Sequence, residues 1–206
     1  PRILALAEVA WSNEERKSYD NFRERALVEN NYLDSKGYSV FDLKTEIGNR
    51  KEASEEKQHL AVGKKVIYNA PFNTSYPAAG ESTLTDGQYG GWTYSDGRWQ
   101  GFISAKRLDV TIDLEKDTDI SSISADFMQV VGPEVFLPVE VIISASSDGQ
   151  TYETLYTATH EINKSSAVVF EKHLWSGTSK ARYVRFEAKA SREIGGWIFT
   201  DEIVIE

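Results

Sequence analysis

The chain has 206 residues, 40% hydrophobic and 12% aromatic, with a formal net charge of −9. That length suits one large domain or one ordinary domain with an appendage, and the acidic balance argues against nucleic acid or an anionic membrane surface as a partner. Without Cys there are no disulfides or thiolate chemistry, and without a run of about 18 apolar residues no helix spans a bilayer.

Residues 3–11 read ILALAEVAW, apolar almost all round, and predict a helix that some other surface must bury. Ser12 with Glu15 has the spacing of a capping box. An amphipathic helix is predicted over 18–36, with Tyr19, Phe22, Ala26 and Leu33 on one face and Gly37 as its stop. The chain opens at Pro1 and runs straight into the first helix, which reads as a cut through a longer protein, any signal peptide lying upstream.

Residues 42–60, DLKTEIGNRKEASEEKQHL, are highly charged and read as a connector. A strand is expected over 38–47 at its start, with a turn or two of helix in KEASEEK and a domain boundary near Gln58.

Beyond the boundary, short apolar runs are punctuated by turn residues, the pattern of a β-sandwich. Strands are predicted at 61–69, 100–103, 107–114, 120–130, 139–146, 151–157, 167–173, 181–188 and 197–205, with no substantial helix. In the third run Leu108, Val110, Ile112 and Leu114 share one face, and Asp109, Thr111 and Asp113 the other. Asp148-Gly149 is a hairpin turn signal.

The loop before that run, LTDGQYGGWTYSDGRW, is rich in glycine and carries two Trp and two Tyr. Rigid amphipathic rings beside hydrogen-bonding side chains suit a sugar, whose C–H faces stack on rings while its hydroxyls take polar partners. The glycines at 87, 90 and 91 are expected to turn the backbone and push Trp92 or Tyr94 outward, whereas Trp99 leads into a strand and belongs to the core. His59, His160 and His173 are isolated, lack metal-site spacing and read as surface residues. No Ser/His/Asp order, P-loop or dinucleotide fingerprint is present, and no carboxylate pair announces glycosidic cleavage.

The first forty residues resemble the end of the catalytic barrel of glycoside hydrolase family 20, the β-N-acetylhexosaminidases. Pro1, Arg2, Leu4 to Glu8, Trp11, Phe22 and Arg25 carry the likeness. It concerns scaffold: the family's catalytic Asp-Glu pair and sugar-gripping aromatics lie upstream, so this chain is expected to lack activity of its own.

The remainder resembles the discoidin-like, galactose-binding-domain-like sandwiches that include family 32 carbohydrate-binding modules. GKKV at 63–66, LTDG at 84–87, VTIDLEK at 110–116, LPVEVIISASSDGQTYETL at 137–155, ARYVRFEA at 181–188 and WIFTDEIVI at 197–205 carry that likeness. It implies that loops at one end of the sandwich hold any ligand, here 69–80, 89–99, 129–136 and 191–196. Tyr76, Trp92 and Tyr94 are the stacking candidates, and Asn73, Arg98 and Arg192 the polar ones. No cofactor is required, but the resemblance implies a structural calcium ion at Asp86 and Glu202, with Gln88 where relatives carry an acidic residue or Asn.

The expected architecture is thus mainly β: barrel-end helices over 1–41, a linker over 42–59, and a discoidin-like sandwich over 60–206. The expected function is that of the non-catalytic C-terminal region of a secreted, periplasmic or cell-surface bacterial hexosaminidase. Its partners would be the upstream barrel and a glycan ending in N-acetylhexosamine or galactose. The alternative is a structural or protein-interaction sandwich without sugar affinity.

Overall fold

The computed structural model describes residues 2–38, 40, 43, 50–103, 108–163, 165 and 168–206. Most of the strand expected over 38–47 therefore lies outside the described residues. The chain divides into two compact units, Pro1–Ser54 and Glu55–Glu206.

In the first unit, helix α1 (Arg2–Trp11) and helix α2 (Tyr19–Ser35) are separated by a single 3-10 turn, Glu14–Arg16. The capping box at Ser12 and Glu15 does not form, because Ser12 still closes the last turn of α1 through its N–H to the Glu8 carbonyl. Ser18 is the cap of α2 instead, its Oγ accepting the Asn21 N–H. Gly37 ends that helix with φ +79° and an N–H to the Asp34 carbonyl. Arg25 grips Glu8 at 2.6 Å and Asn21 at 3.0 Å, which ties α2 to α1. Ile3, Leu6, Val9 and Trp11 stay exposed on α1, the apolar surface that its sequence foreshadowed. A 3-10 turn at Lys51–Ser54 is the helical element of the charged connector.

The second unit is built from β1 (Lys65–Tyr68), β2 (Gln100–Ile103), β3 (Leu108–Gln129), β4 (Glu140–Ser146), β5 (Glu153–Thr159), β6 (Val169–Lys189) and β7 (Trp197–Ile205). The hydrogen-bonded order is β2-β7-β3-β6-β4-β5, with β1 added on β3, and every pairing is antiparallel. The only helical piece here is a six-residue 3-10 turn, Gly80–Thr85, among the described residues.

Two separate strands expected at 107–114 and 120–130 are one long strand, and the runs at 167–173 and 181–188 merge likewise. The polar stretches between them look like breaks in sequence, yet β3 and β6 pair along nearly their whole lengths. Register shifts at Asp113/Thr118 and Ile120/Ser122, with Glu115 at φ +70°, bend the pair there. The two halves of each long strand thereby meet different neighbours: β3 pairs with β1 through its first half and with β7 through its second, and β6 pairs with β4 through its second half. Phe127 from one half meets Phe186 from the other at 6.1 Å in the shared core.

The polar face of β3 is covered as well. Arg185 forks onto Asp109 at 2.9 and 2.8 Å, Arg182 onto Asp113 at 2.8 and 2.9 Å, and the Asn69 amide donates to Asp109 and Thr111. The histidines also depart from expectation. His160 is exposed, but His59 and His173 have enclosed side chains: His59 lies against Glu202 and Ile205 of β7, and His173 against Phe127 and Tyr156.

Candidate functional site

At one end of the sandwich a second apolar cluster of Trp99, Met128, Val135 and Phe199 caps the core. Trp99 is 1% exposed, stacks on Phe170 at 5.9 Å, and donates its indole N–H to the Gly91 carbonyl at 3.0 Å. Gly90 is required by that packing rather than by a turn: a Cβ there would lie 2.2 Å from the Trp99 nitrogen. Of the three glycines expected to turn the loop, only Gly87 has positive φ, at +77°. The loop is otherwise held by Asp201, which accepts the Gly90 N–H at 2.9 Å, and by Asp96, which accepts N–H groups of Gly91 and Arg98.

Over this cluster lie three half-buried rings, Tyr76, Tyr94 and Trp197. Tyr76 is the hub, with edge contacts to Tyr94 at 5.7 Å, Trp197 at 5.0 Å and Phe199 at 5.0 Å. Backbone bonds draw the surrounding loops together. Gly101 donates to the Tyr76 carbonyl, Asn73 to the Gly101 carbonyl, and Trp197 to the Glu134 carbonyl. Gly196, at φ +84°, lets that last approach happen, since a Cβ would sit 2.4 Å from the Glu134 oxygen.

The other expected residues are distributed differently. Trp92 is half-buried, its ring centre 5.6 Å from that of Phe170. The Asn73 carboxamide accepts the Ser75 N–H and shapes its own loop. Arg98 is half-buried and donates to the Tyr89 carbonyl at 3.2 Å. Arg192 is exposed and lines a separate concavity of about 670 Å³ with Val139, Glu140, His160 and Lys189. Sequence reasoning missed Trp197, taken only as a strand residue. The signal was available: a Trp directly after Gly195-Gly196, at the head of a strand whose end faces the loops.

The acidic residues form a different kind of site. Asp86 and Glu202 are brought together, the Asp86 N–H 3.2 Å from Glu202 Oε2, and Asp86 itself accepts the Gln88 N–H at 2.8 Å. His59 Nε2 lies 2.8 Å from the other Glu202 oxygen, with both side chains fully enclosed. Burial pushes the Glu202 carboxyl up to about 9 and the His59 imidazole down to about 4. Burial also raises Asp86. Calcium wants a shell of oxygen lone pairs. This pocket instead turns N–H groups and an imidazole toward the Glu202 carboxyl, so as arranged Asp86, Gln88 and Glu202 do not present such a shell.

A protein-family model described as F5/8 type C domain matches residues 69–203. No curated protein sequence matches the chain. Among solved structures, CpGH89CBM32-5 from Clostridium perfringens, determined with GalNAc-β-1,3-galactose, is 12% identical, with 72% of this chain and 99% of that one covered and a TM-score of 0.50. CpGH89CBM32-6 from the same organism is 19% identical over 72% and 98% of the two chains, with a TM-score of 0.44. A chitosan-binding module 2 from a chitosanase/glucanase of Paenibacillus sp. IK-5, determined with chitotriose, is 16% identical over 71% and 98%, at 0.44. Likeness at these identities speaks to the fold. Among the described residues no helix is long and apolar enough to cross a membrane.

Proposed function

The chain belongs to the F5/8 type C domain family, and from that premise we propose that its sandwich is a non-catalytic carbohydrate-binding module. The observation that carries this reading is the convergence of Tyr76, Tyr94 and Trp197, half-exposed, at the loop end of the sandwich. Such rings offer apolar faces to sugar C–H groups, and the loops around them supply backbone and side-chain hydrogen-bond partners. The platform proposed is therefore centred on Tyr94 and Trp197, with Trp92 a neighbour seated on Phe170.

The ligand class in this reading is a glycan ending in N-acetylhexosamine or galactose. The neighbour determined with GalNAc-β-1,3-galactose supports trying that disaccharide first. The resemblance of residues 1–40 to the end of a family 20 barrel supports a parent β-N-acetylhexosaminidase working outside a bacterial cell. The Glu8–Arg25 pair that joins α1 to α2 then has a scaffold role in that barrel, not a catalytic one. A glycan array probed with the chain tests the reading: signal on terminal N-acetylhexosamine or galactose is expected. A blank array would favour the alternative, a sandwich that braces or docks other protein without touching sugar.

A further inference from the structure

His160 follows the end of β5, and Glu171 and His173 lie two residues apart on β6, so their side chains leave the same face of that strand. One ligand atom from each of the three lies within 4.8 Å of the others. His173 Nε2 is 3.3 Å from Glu171 Oε1, and His160 Nε2 is 3.9 Å from the same oxygen. The two imidazole rings meet at 5.0 Å, close to perpendicular.

The polar accounting of His173 is incomplete. Its side chain is buried among Phe127, Tyr156 and His160. Nδ1 faces the Tyr156 hydroxyl at 3.4 Å, whereas Nε2 is buried with no hydrogen-bond partner, its approach to Glu171 lacking hydrogen-bond alignment. A buried nitrogen left in this way is costly unless something else takes its lone pair.

We propose that His160, Glu171 and His173 bind a divalent transition-metal ion of the zinc class, with water at the fourth position. Bonds of about 2.0 Å in a tetrahedron place neighbouring ligand atoms roughly 3.3 Å apart. The His173–Glu171 separation already has that value, and the exposed His160 closes its longer gap by a small rotation. Two imidazoles and one carboxylate favour zinc, copper or nickel over calcium or magnesium, which take oxygen ligands. The Tyr156 hydroxyl on Nδ1 supplies the outer contact that orients a metal-binding imidazole. His160 also lines the concavity of about 670 Å³, so the water position faces solvent. The ion would clip the end of β5 to β6 at a place remote from the Asp86–Glu202 pocket in sequence and in ligand chemistry.

The test is a calorimetric titration of the chelator-treated chain with zinc chloride, alongside thermal melts. One ion per chain is expected, with a raised melting temperature. His160→Ala removes an exposed ligand and Glu171→Gln a half-exposed one, so neither touches the buried core. Each should weaken zinc binding by about tenfold or more and abolish the thermal shift. Absence of zinc binding by the unaltered chain would overturn the site. So would variants that bind zinc as tightly as the unaltered chain, which would place the ion elsewhere.

Discussion

Replacing Glu202 by Gln should remove a pH signature that the buried His59–Glu202 pair imposes on stability. Glu202 rises from 4.5 to about 9 and His59 falls from 6.5 to about 4, each chiefly through burial. Folded, the pair therefore holds one proton from about pH 4 to about pH 9. Unfolded, the same groups hold two protons below 4.5, one up to 6.5 and none above it. The contribution of Glu202, whose folded value is raised, is complete below 4.5 and lost as pH climbs toward 9. That of His59, whose folded value is depressed, is complete above 6.5 and lost as pH falls toward 4. Between 4.5 and 6.5 the two slopes cancel and stability is level. From 6.5 to 9 only the Glu202 slope remains, one proton over about 2.5 pH units, or about 3 kcal/mol at ~1.4 kcal/mol per unit. Urea denaturation at pH 5.5, 6.5, 8 and 9 should show that decline in the unaltered chain. In Glu202→Gln the amide keeps a hydrogen-bonding group beside His59 but cannot titrate, so the decline above 6.5 should disappear. Curves that run parallel from pH 6.5 to 9 would refute the assignment.

Trp99→Ala should destabilise the sandwich by roughly 3–5 kcal/mol in chemical denaturation, since it empties the second core cluster and frees the Gly91 carbonyl. Gly90→Ala should cost about 1–3 kcal/mol through collision with the same indole, a loss relieved when Trp99 is also made smaller. Arg185→Ala removes the forked ion pair from the buried Asp109 carboxylate and should cost roughly 2–3 kcal/mol, whereas Lys64→Ala, at an exposed pair with Glu115, should leave the melting temperature nearly unchanged. Calcium added to the chain should not shift its melting temperature, because the Glu202 carboxyl already faces His59 and N–H donors; a shift of several degrees would show that the pocket rearranges around the ion.

Local pattern made much of this fold readable. The alternation through Leu108–Leu114, the Asp148-Gly149 turn and the closing WIFTDEIVI run each specify a strand or hairpin that forms where the residues place it. Polar residues at 115–119 obscured the continuity of β3, because pairing with β6 on either side of the Asp113/Thr118 irregularity carries the strand past a stretch that gives no local strand signal. The aromatic loop was legible as unusual, and Trp99 as core, but the direction of each ring was not. Trp92 turns to Phe170, a partner 78 positions away, and Tyr94 to Tyr76 in another loop and to Phe199 on β7. The buried histidines failed for the same reason: His59 and His173 are enclosed by residues distant in the chain. Only the Glu171-Lys172-His173 spacing hinted that two ligand-type side chains share a strand face.

The central claim is that the rings at the loop end bind sugar, and calorimetric titration with GalNAc-β-1,3-galactose tests it most directly when the unaltered chain is compared with Tyr94→Ala and Trp197→Ala. Saturable binding is predicted, weakened roughly fivefold or more in each variant, the loss of about 1 kcal/mol that one ring face supplies. No heat of binding, with chitotriose equally silent, would contradict the account, as would binding that both variants retain in full.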